Sequence, residues 1–182
     1  MKPKNLGHVM LDLETLGNKS NSAILSIGAV EFNIETGETG FEFYERVDLQ
    51  SCLNVGLIVN GSTFYWWLQQ NEKARKEICK AADNLHNVLQ KLNTYFAICG
   101  DFQLWGNGLT FDVSILKNAY VKFGVQVMPW QFRNERDVRT LVAFAPEIKE
   151  NYPFTGILHH PIADCKYQIG YCTAIWNKLN KQ

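Results

Sequence analysis

The ten residues from Ala23 to Phe32 are almost continuously apolar, and this run limits the possible folds more than any other feature of the chain. An apolar stretch of that length suits a strand covered on both sides, so its sheet must carry a packed layer on each face. The runs beside it read differently. In Gly7-His-Val-Met-Leu-Asp-Leu-Glu14 the pattern alternates, putting Val9, Leu11 and Leu13 on one face and Met10, Asp12 and Glu14 on the other. Gly40 to Val47 is more amphipathic, which places it nearer a sheet edge. A polar loop (Gly17 to Ser22) and the turn Glu35-Thr-Gly-Glu38 join these three strands, and connections this short predict an antiparallel meander.

The rest of the chain is mainly helical in pattern. Ser62 is the expected cap of a helix through Gln70, and Glu72 to Cys79 has helix-forming composition. Asn84 to Phe96 places Leu85, Val88, Leu89 and Leu92 on one face. Phe102 to Trp105 reads as a short strand ending at Gly106-Asn-Gly108. From Thr110, Phe111, Ile115, Ala119 and Phe123 recur at helical spacing, with Gly124 as the stop. A last helix begins at Pro161 with Ile162, Cys165, Ile169, Cys172, Trp176 and Leu179 along one stripe. Strands first, then alternating helix and strand, predict an α/β fold, a sheet of mixed direction with helices against it.

At 182 residues, 46% hydrophobic and 20% charged, the chain is expected to form a single globular domain over residues 1–182. Eighteen Lys and Arg balance eighteen Asp and Glu, so no global positive field draws it to nucleic acid, and any such contact must be local. Cys52, Cys79, Cys99, Cys165 and Cys172 form no metal or secreted-scaffold spacing and are expected to be reduced, mostly buried thiols. No signal peptide or membrane-length apolar run is evident, which makes a cytoplasmic location the default expectation.

Five residues carry the chemistry. Asp12 and Glu14 are two apart on a strand, so their Cα atoms lie about 6.6 Å apart and both carboxylates project from one face. Two ionised acids beside an apolar strand resist burial unless a cation offsets them, and oxygen ligands suit Mg²⁺ or Mn²⁺. The same pair also fits an exposed strand end with two solvated acids. Asp112 falls in the first turn of its helix, where the macrodipole alone is reason enough for an acid. His159-His-Pro-Ile-Ala-Asp164 sets an imidazole just before a helix and a carboxylate in its second turn, on one side of the helix start.

In this order, Leu11-Asp-Leu-Glu-Thr-Leu-Gly17, Asn107-x3-Phe111-Asp112 and His159-x4-Asp164 resemble the three motifs of the DEDD superfamily of 3′→5′ exonucleases, in its histidine-bearing (DEDDh) branch. Ile24-Leu-Ser-Ile-Gly-Ala-Val30, Trp66-Trp67, Arg136-Asp-Val-Arg-Thr-Leu141 and Asp164-Cys-Lys-Tyr-Gln168 look like the exonuclease VIII-like group of phage and bacterial exonucleases, over nearly the whole chain. The resemblance implies a ribonuclease H-like fold, a mixed five-stranded sheet whose first three strands run antiparallel, flanked by helices. It also implies hydrolysis of single-stranded nucleic acid from the 3′ end to nucleoside 5′-monophosphates. Asp12, Glu14, Asp112 and Asp164 would hold two divalent cations, Mg²⁺ or Mn²⁺, with Asp12 bridging them, and His159 would be the general base. Thr15 and Leu16 are expected at the terminal nucleotide. Asn107, Phe111, Trp66 and His160 are further substrate candidates, although core packing suits Phe111 and both Trp66 and Trp67 equally well or better. Asp137 and Arg139 fit the pattern with no role beyond an ion pair or a phosphate contact. Two departures stand out. Ala163 replaces the acid that often precedes the last aspartate, and His160 lies one position too close to Asp164 for the usual spacing. Some members pair, so a homodimer is compatible with the resemblance.

The expected partner is the 3′ end of single-stranded DNA or RNA, with DNA slightly favoured, in a bacterial cell or a phage-infected host. An exoribonuclease acting on short oligonucleotides, and a non-catalytic nucleic-acid-binding domain on the same fold, are the alternatives.

Overall fold

The structure, a computed structural model, describes residues 5–181. The first three strands are β1 (His8–Thr15), β2 (Ile24–Phe32) and β3 (Thr39–Arg46). Four helices come next: α1 (Leu49–Asn54), α2 (Gly61–Leu68), α3 (Glu72–Ile78) and α4 (Leu85–Cys99). Then come β4 (Gln103–Gly106), α5 (Asp112–Lys122), a 3₁₀ turn at Phe132–Asn134, and β5 (Glu135–Asp137). The chain ends in α6 (Val138–Val142), α7 (Pro146–Asn151) and α8 (Pro161–Asn180). The sheet order is β3-β2-β1-β4-β5; β1, β2 and β3 pair antiparallel, whereas β4 and β5 add on in parallel.

The expected mixed five-stranded sheet is present, with the amphipathic β3 at an edge and every residue of β2 buried. The alternation in β1 also holds. Val9, Leu11 and Leu13 pack with α4 and α5 in one core, while Met10 joins Val30, Trp105 and the buried side of α8 in a second core on the opposite face. In α8 the predicted stripe buries Cys165, Ile169 and Cys172, and a side chain the size of Ile169 contributes roughly 1.5–3 kcal/mol once out of water. All five cysteines are free thiols and four are buried, Cys79 being the exposed one.

Several local expectations need correction. The cap of α2 is Asn60, whose side chain accepts the Thr63 N–H at 3.1 Å, and Ser62 lies inside the first turn. Helix α5 starts at Asp112 rather than Thr110. Asp164 belongs to the first turn of α8, not the second. The short elements α1, β5, α6 and α7 were not read from the sequence pattern. No helix among the described residues is long and apolar enough to cross a membrane.

Candidate active site

Because β1 and β4 run parallel, their C-terminal ends open on the same side of the sheet, and the loops that leave the two strands can meet there. The β1–β2 register shifts between Glu14 and Thr15, so a bulge follows directly on the second acid before the strand ends at Thr15. On the other flank, Gly28 of β2 stands opposite Asp12. The start of α8 lands on that glycine so closely that a Cβ there would sit 2.4 Å from Pro161 Cβ and 2.9 Å from its carbonyl carbon. Only glycine allows this approach, which sets Asp164 beside the β1 acids.

The structure brings Asp12, Glu14, Asp112, His159 and Asp164 to one cleft of about 280 Å³. Glu14, His159 and Asp164 offer ligand atoms that all lie within 4.8 Å of one another. Asp112 is more than a helix-start residue. It is 2% exposed, and its Oδ1 accepts the Leu13 N–H at 3.1 Å, which pins the head of α5 to β1.

The electrostatics describe a site short of positive charge. Desolvation, followed by the charges of Asp112, Glu14 and Asp164, raises the Asp12 carboxyl well above its usual range, against one hydrogen bond from Gln168 Nε2 at 2.9 Å. Burial, then Asp164 and Asp112, push Glu14 up to about 8. Burial lifts Asp112 to about 7 despite backbone N–H donors, and Asp164 to about 6 despite a bond from the His159 backbone. Burial lowers His159, which favours neutral imidazole. Gln168 Oε1, Asn107 Oδ1 and Tyr171 Oη, all from residues lining this cleft, are buried with no partner. A donor set made mostly of carboxylate oxygens, with carboxyls forced towards neutrality and spare acceptors around them, fits a hard divalent cation.

His159 adopts φ +61°, the only positive φ at a non-glycine position among the described residues. Such a conformation costs about 1–3 kcal/mol and has to be over-determined by its surroundings. Here the ring meets Trp66 at 4.9 Å and Trp67 at 5.8 Å, both edge to face. The two tryptophans differ in exposure. Trp67 is 2% exposed and donates Nε1–H to the Thr15 carbonyl at 2.9 Å, whereas Trp66 is 41% exposed. Trp66, Trp67, Thr15 and Phe111 line an adjoining groove that shares Leu13, Glu14 and Phe111 with the acidic cleft.

The remaining substrate candidates fare unevenly. Thr15 borders the groove, but its hydroxyl donates to the Gly17 carbonyl at 2.7 Å. Leu16 does not border either cleft. Its side chain is 4% exposed in the core, its N–H donates to Ala23 O and its carbonyl accepts from Asn60 N. His160 occupies the N-cap position of α8 without a side-chain cap bond, and its ring packs on Tyr44 at 4.6 Å. Asn107 and Arg139 do line the acidic cleft. Asp137 braces the backbone, its Oδ2 accepting from Leu109 N–H and its Oδ1 from Thr140 N–H, and so holds the loop that delivers Asp112. Sequence reasoning missed Gln168, Lys149, Tyr167 and Tyr171 in the cleft wall; the position of Gln168 four residues after Asp164, on the same helix face, was the available signal.

Residues 7–176 match the family described as the 3'-5' exoribonuclease Rv2179c-like domain. The exodeoxyribonuclease of Enterobacteria phage T4 is 27% identical over 158 residues, covering 73% of this chain and 69% of its own. Among solved structures, the nuclease domain of 3'hExo, a DEDDh family member bound to rAMP, superposes with a TM-score of 0.66 at 13% identity, over 98% of this chain and 95% of that one. E. coli Exonuclease I in complex with a dA16 oligonucleotide gives 0.67 at 13% identity, over 96% of this chain and 41% of that longer one. These superpositions match the fold, a ribonuclease H-like sheet with helices on both faces, and the family match extends over both the sheet and the acidic cleft. The chain belongs to the Rv2179c-like 3′→5′ exoribonuclease domain family and is a 3′→5′ exonuclease.

Proposed function

We propose that residues 1–182 act as one exonuclease domain that removes nucleoside 5′-monophosphates from the 3′ end of single-stranded nucleic acid, a reading supported by the family match over residues 7–176. The observation that carries this reading is the convergence of four carboxylates and one imidazole on a single cleft where three of the acids are buried or nearly so and mutually repelling. Asp12, Glu14, Asp112 and Asp164 would hold two Mg²⁺ or Mn²⁺ ions, with Asp12 shared between them. Bound there, such ions supply activation of the attacking water and stabilisation of the departing 3′ oxygen. His159, kept neutral by its surroundings, takes the proton of the water as its oxygen bonds to phosphorus and the P–O3′ bond breaks. Trp67 anchors the turn after Glu14 from below, and Trp66 offers its exposed ring to a base, a contact worth roughly 1–3 kcal/mol.

DNA is the first reading for the substrate, supported by the phage T4 relative being an exodeoxyribonuclease. RNA is the second, supported by the exoribonuclease description of the family. Within the superfamily, the motifs around Trp66 and Arg136 favour the exonuclease VIII-like group, and the phage relative suits a phage or bacterial setting. Matched 3′-labelled DNA and RNA oligonucleotides, digested with Mg²⁺ and then Mn²⁺, test the proposal. Faster release of deoxynucleotides is expected; a clear preference for RNA selects the second reading. Undiminished digestion by purified Asp12→Ala protein refutes the mechanism.

A further inference from the structure

With eighteen basic and eighteen acidic residues, any grip this chain has on a polyanion must come from a few placed cations. Two stand on the wall of the acidic cleft: Arg139 from α6 and Lys149 from α7. Neither has a carboxylate at ion-pair distance among the described residues, whereas basic residues elsewhere on the surface, such as Lys117, Lys166 and Lys178, do. Were the pair present only to neutralise the cleft acids, the side chains would close on them, as Arg46 closes on Glu77 at 2.8 Å.

Both cations are instead held apart by other means. The Arg139 guanidinium lies over Gly108, where a Cβ would come within 3.1 Å of Cζ, and Gly108 has φ +108°, a conformation closed to most side chains. Asp137 fixes the same loop through its bonds to Leu109 and Thr140. Lys149 Nζ stands 5.7 Å from the centroid of the Tyr171 ring, and Tyr167 Oη donates to the Lys149 carbonyl at 3.4 Å, tying α7 to α8. Arg139 feels the charge of Asp112 without closing on it, and a planar fork and a point charge preorganised on one wall without an ion pair at contact distance match phosphodiester oxygens.

We propose that Arg139 and Lys149 form a two-cation clamp for the phosphodiester backbone as it enters the acidic cleft, and that this clamp supplies most of the electrostatic part of substrate binding. The proposal rests on that cleft being the reaction centre. Its grip spans only a couple of phosphates, so short oligonucleotides bind nearly as well as long ones.

Fluorescence anisotropy of a 5′-labelled ten-nucleotide strand, measured against KCl in EDTA, reads the clamp without any cleavage. Two contacts on a single strand predict a slope of log K against log salt of about −1.4, falling to about −0.7 in Arg139→Gln or Lys149→Gln. Arg139→Lys and Lys149→Arg keep the charge and should keep the wild-type slope, which separates lost charge from lost packing. A slope that neither charge-removing variant changes, or that the charge-keeping variants lose equally, overturns the clamp. Failure of the reaction centre shows elsewhere, as digestion in Mg²⁺ that Asp12→Ala leaves intact, while the EDTA binding result stands on its own.

Discussion

Glu31 on β2 and Glu14 on the neighbouring β1 are both deeply buried, at 2% and 8% exposure, and they are held in opposite ways. Glu31 accepts the Leu6 N–H on one oxygen at 3.0 Å and the Phe41 N–H on the other at 3.3 Å, tying the segment before β1 to β3. The carboxylate of Glu14 accepts no hydrogen bond among the described residues and instead confronts Asp164 and Asp112. One acid is satisfied by the backbone and serves the fold. The other is left for a charge that the protein itself does not provide. Burial alone therefore does not mark a functional acid; burial without donors, in the company of other acids, does.

Exchanging charge for amide at the two positions should separate them most sharply. Glu14→Gln should lower the rate of nucleotide release by roughly 10²–10³-fold, the scale of losing a preorganised electrostatic group, with folding stability held or raised in metal-free buffer. Near wild-type release by this variant would break the comparison. Gln168→Leu removes the one side-chain hydrogen bond to Asp12, and metal affinity measured by titration should fall roughly 10–100-fold, as for other groups that orient a ligand. Glu31→Gln should do the reverse of Glu14→Gln, leaving release rates nearly unchanged while chemical denaturation shows a loss of about 1–3 kcal/mol, since an amide cannot accept both N–H groups as well.

The pH dependence sharpens the same contrast. Glu14, Asp112 and Asp164 have native pKa values of about 8, 7 and 6, above their ordinary values of 4.5, 3.8 and 3.8. Between each pair of values the native state holds more protons than the unfolded chain, so metal-free stability falls as pH rises through that window. In EDTA the melting temperature should drop progressively from about pH 4 to about pH 8, and Glu14→Gln should remove part of the slope. Saturating Mn²⁺ should flatten it. The smallest expected effect is that of Trp67→Phe, which keeps a ring beside His159 but loses the bond to Thr15; about 1 kcal/mol of stability should disappear in denaturant melts.

The sequence made the two halves of this comparison unequally legible. Alternation in β1 placed Asp12 and Glu14 on the face away from Val9, Leu11 and Leu13, and the structure keeps that division. The apolar run of β2 required cover on both faces, and α8 on one side with α4 and α5 on the other supply it. The short elements escaped because α6 and α7, five and six residues long, and β5, three residues long, are too brief for a period to register. With them went Lys149 and the positions of Arg139 and Asp137, which depend on how α6 and α7 fold back over the sheet. The burial of Leu16 was not legible either, because its neighbour Thr15 borders the groove while Leu16, just past the shift in register, packs in the core. Gln168 closed the motif that begins at Asp164 but had no role assigned, because its contact with Asp12 spans 156 positions of the chain.

The central claim, that the unsatisfied acids exist to hold divalent ions for hydrolysis, is tested most directly by calorimetric titration of Mn²⁺ into the wild-type chain and into Asp12→Asn, with digestion of a 3′-labelled strand followed in the same samples. Two bound ions and digestion are predicted for the wild type, and loss of at least one ion together with digestion for the variant. Digestion by a wild-type chain that binds no Mn²⁺, or by Asp12→Asn at the wild-type rate, would contradict it.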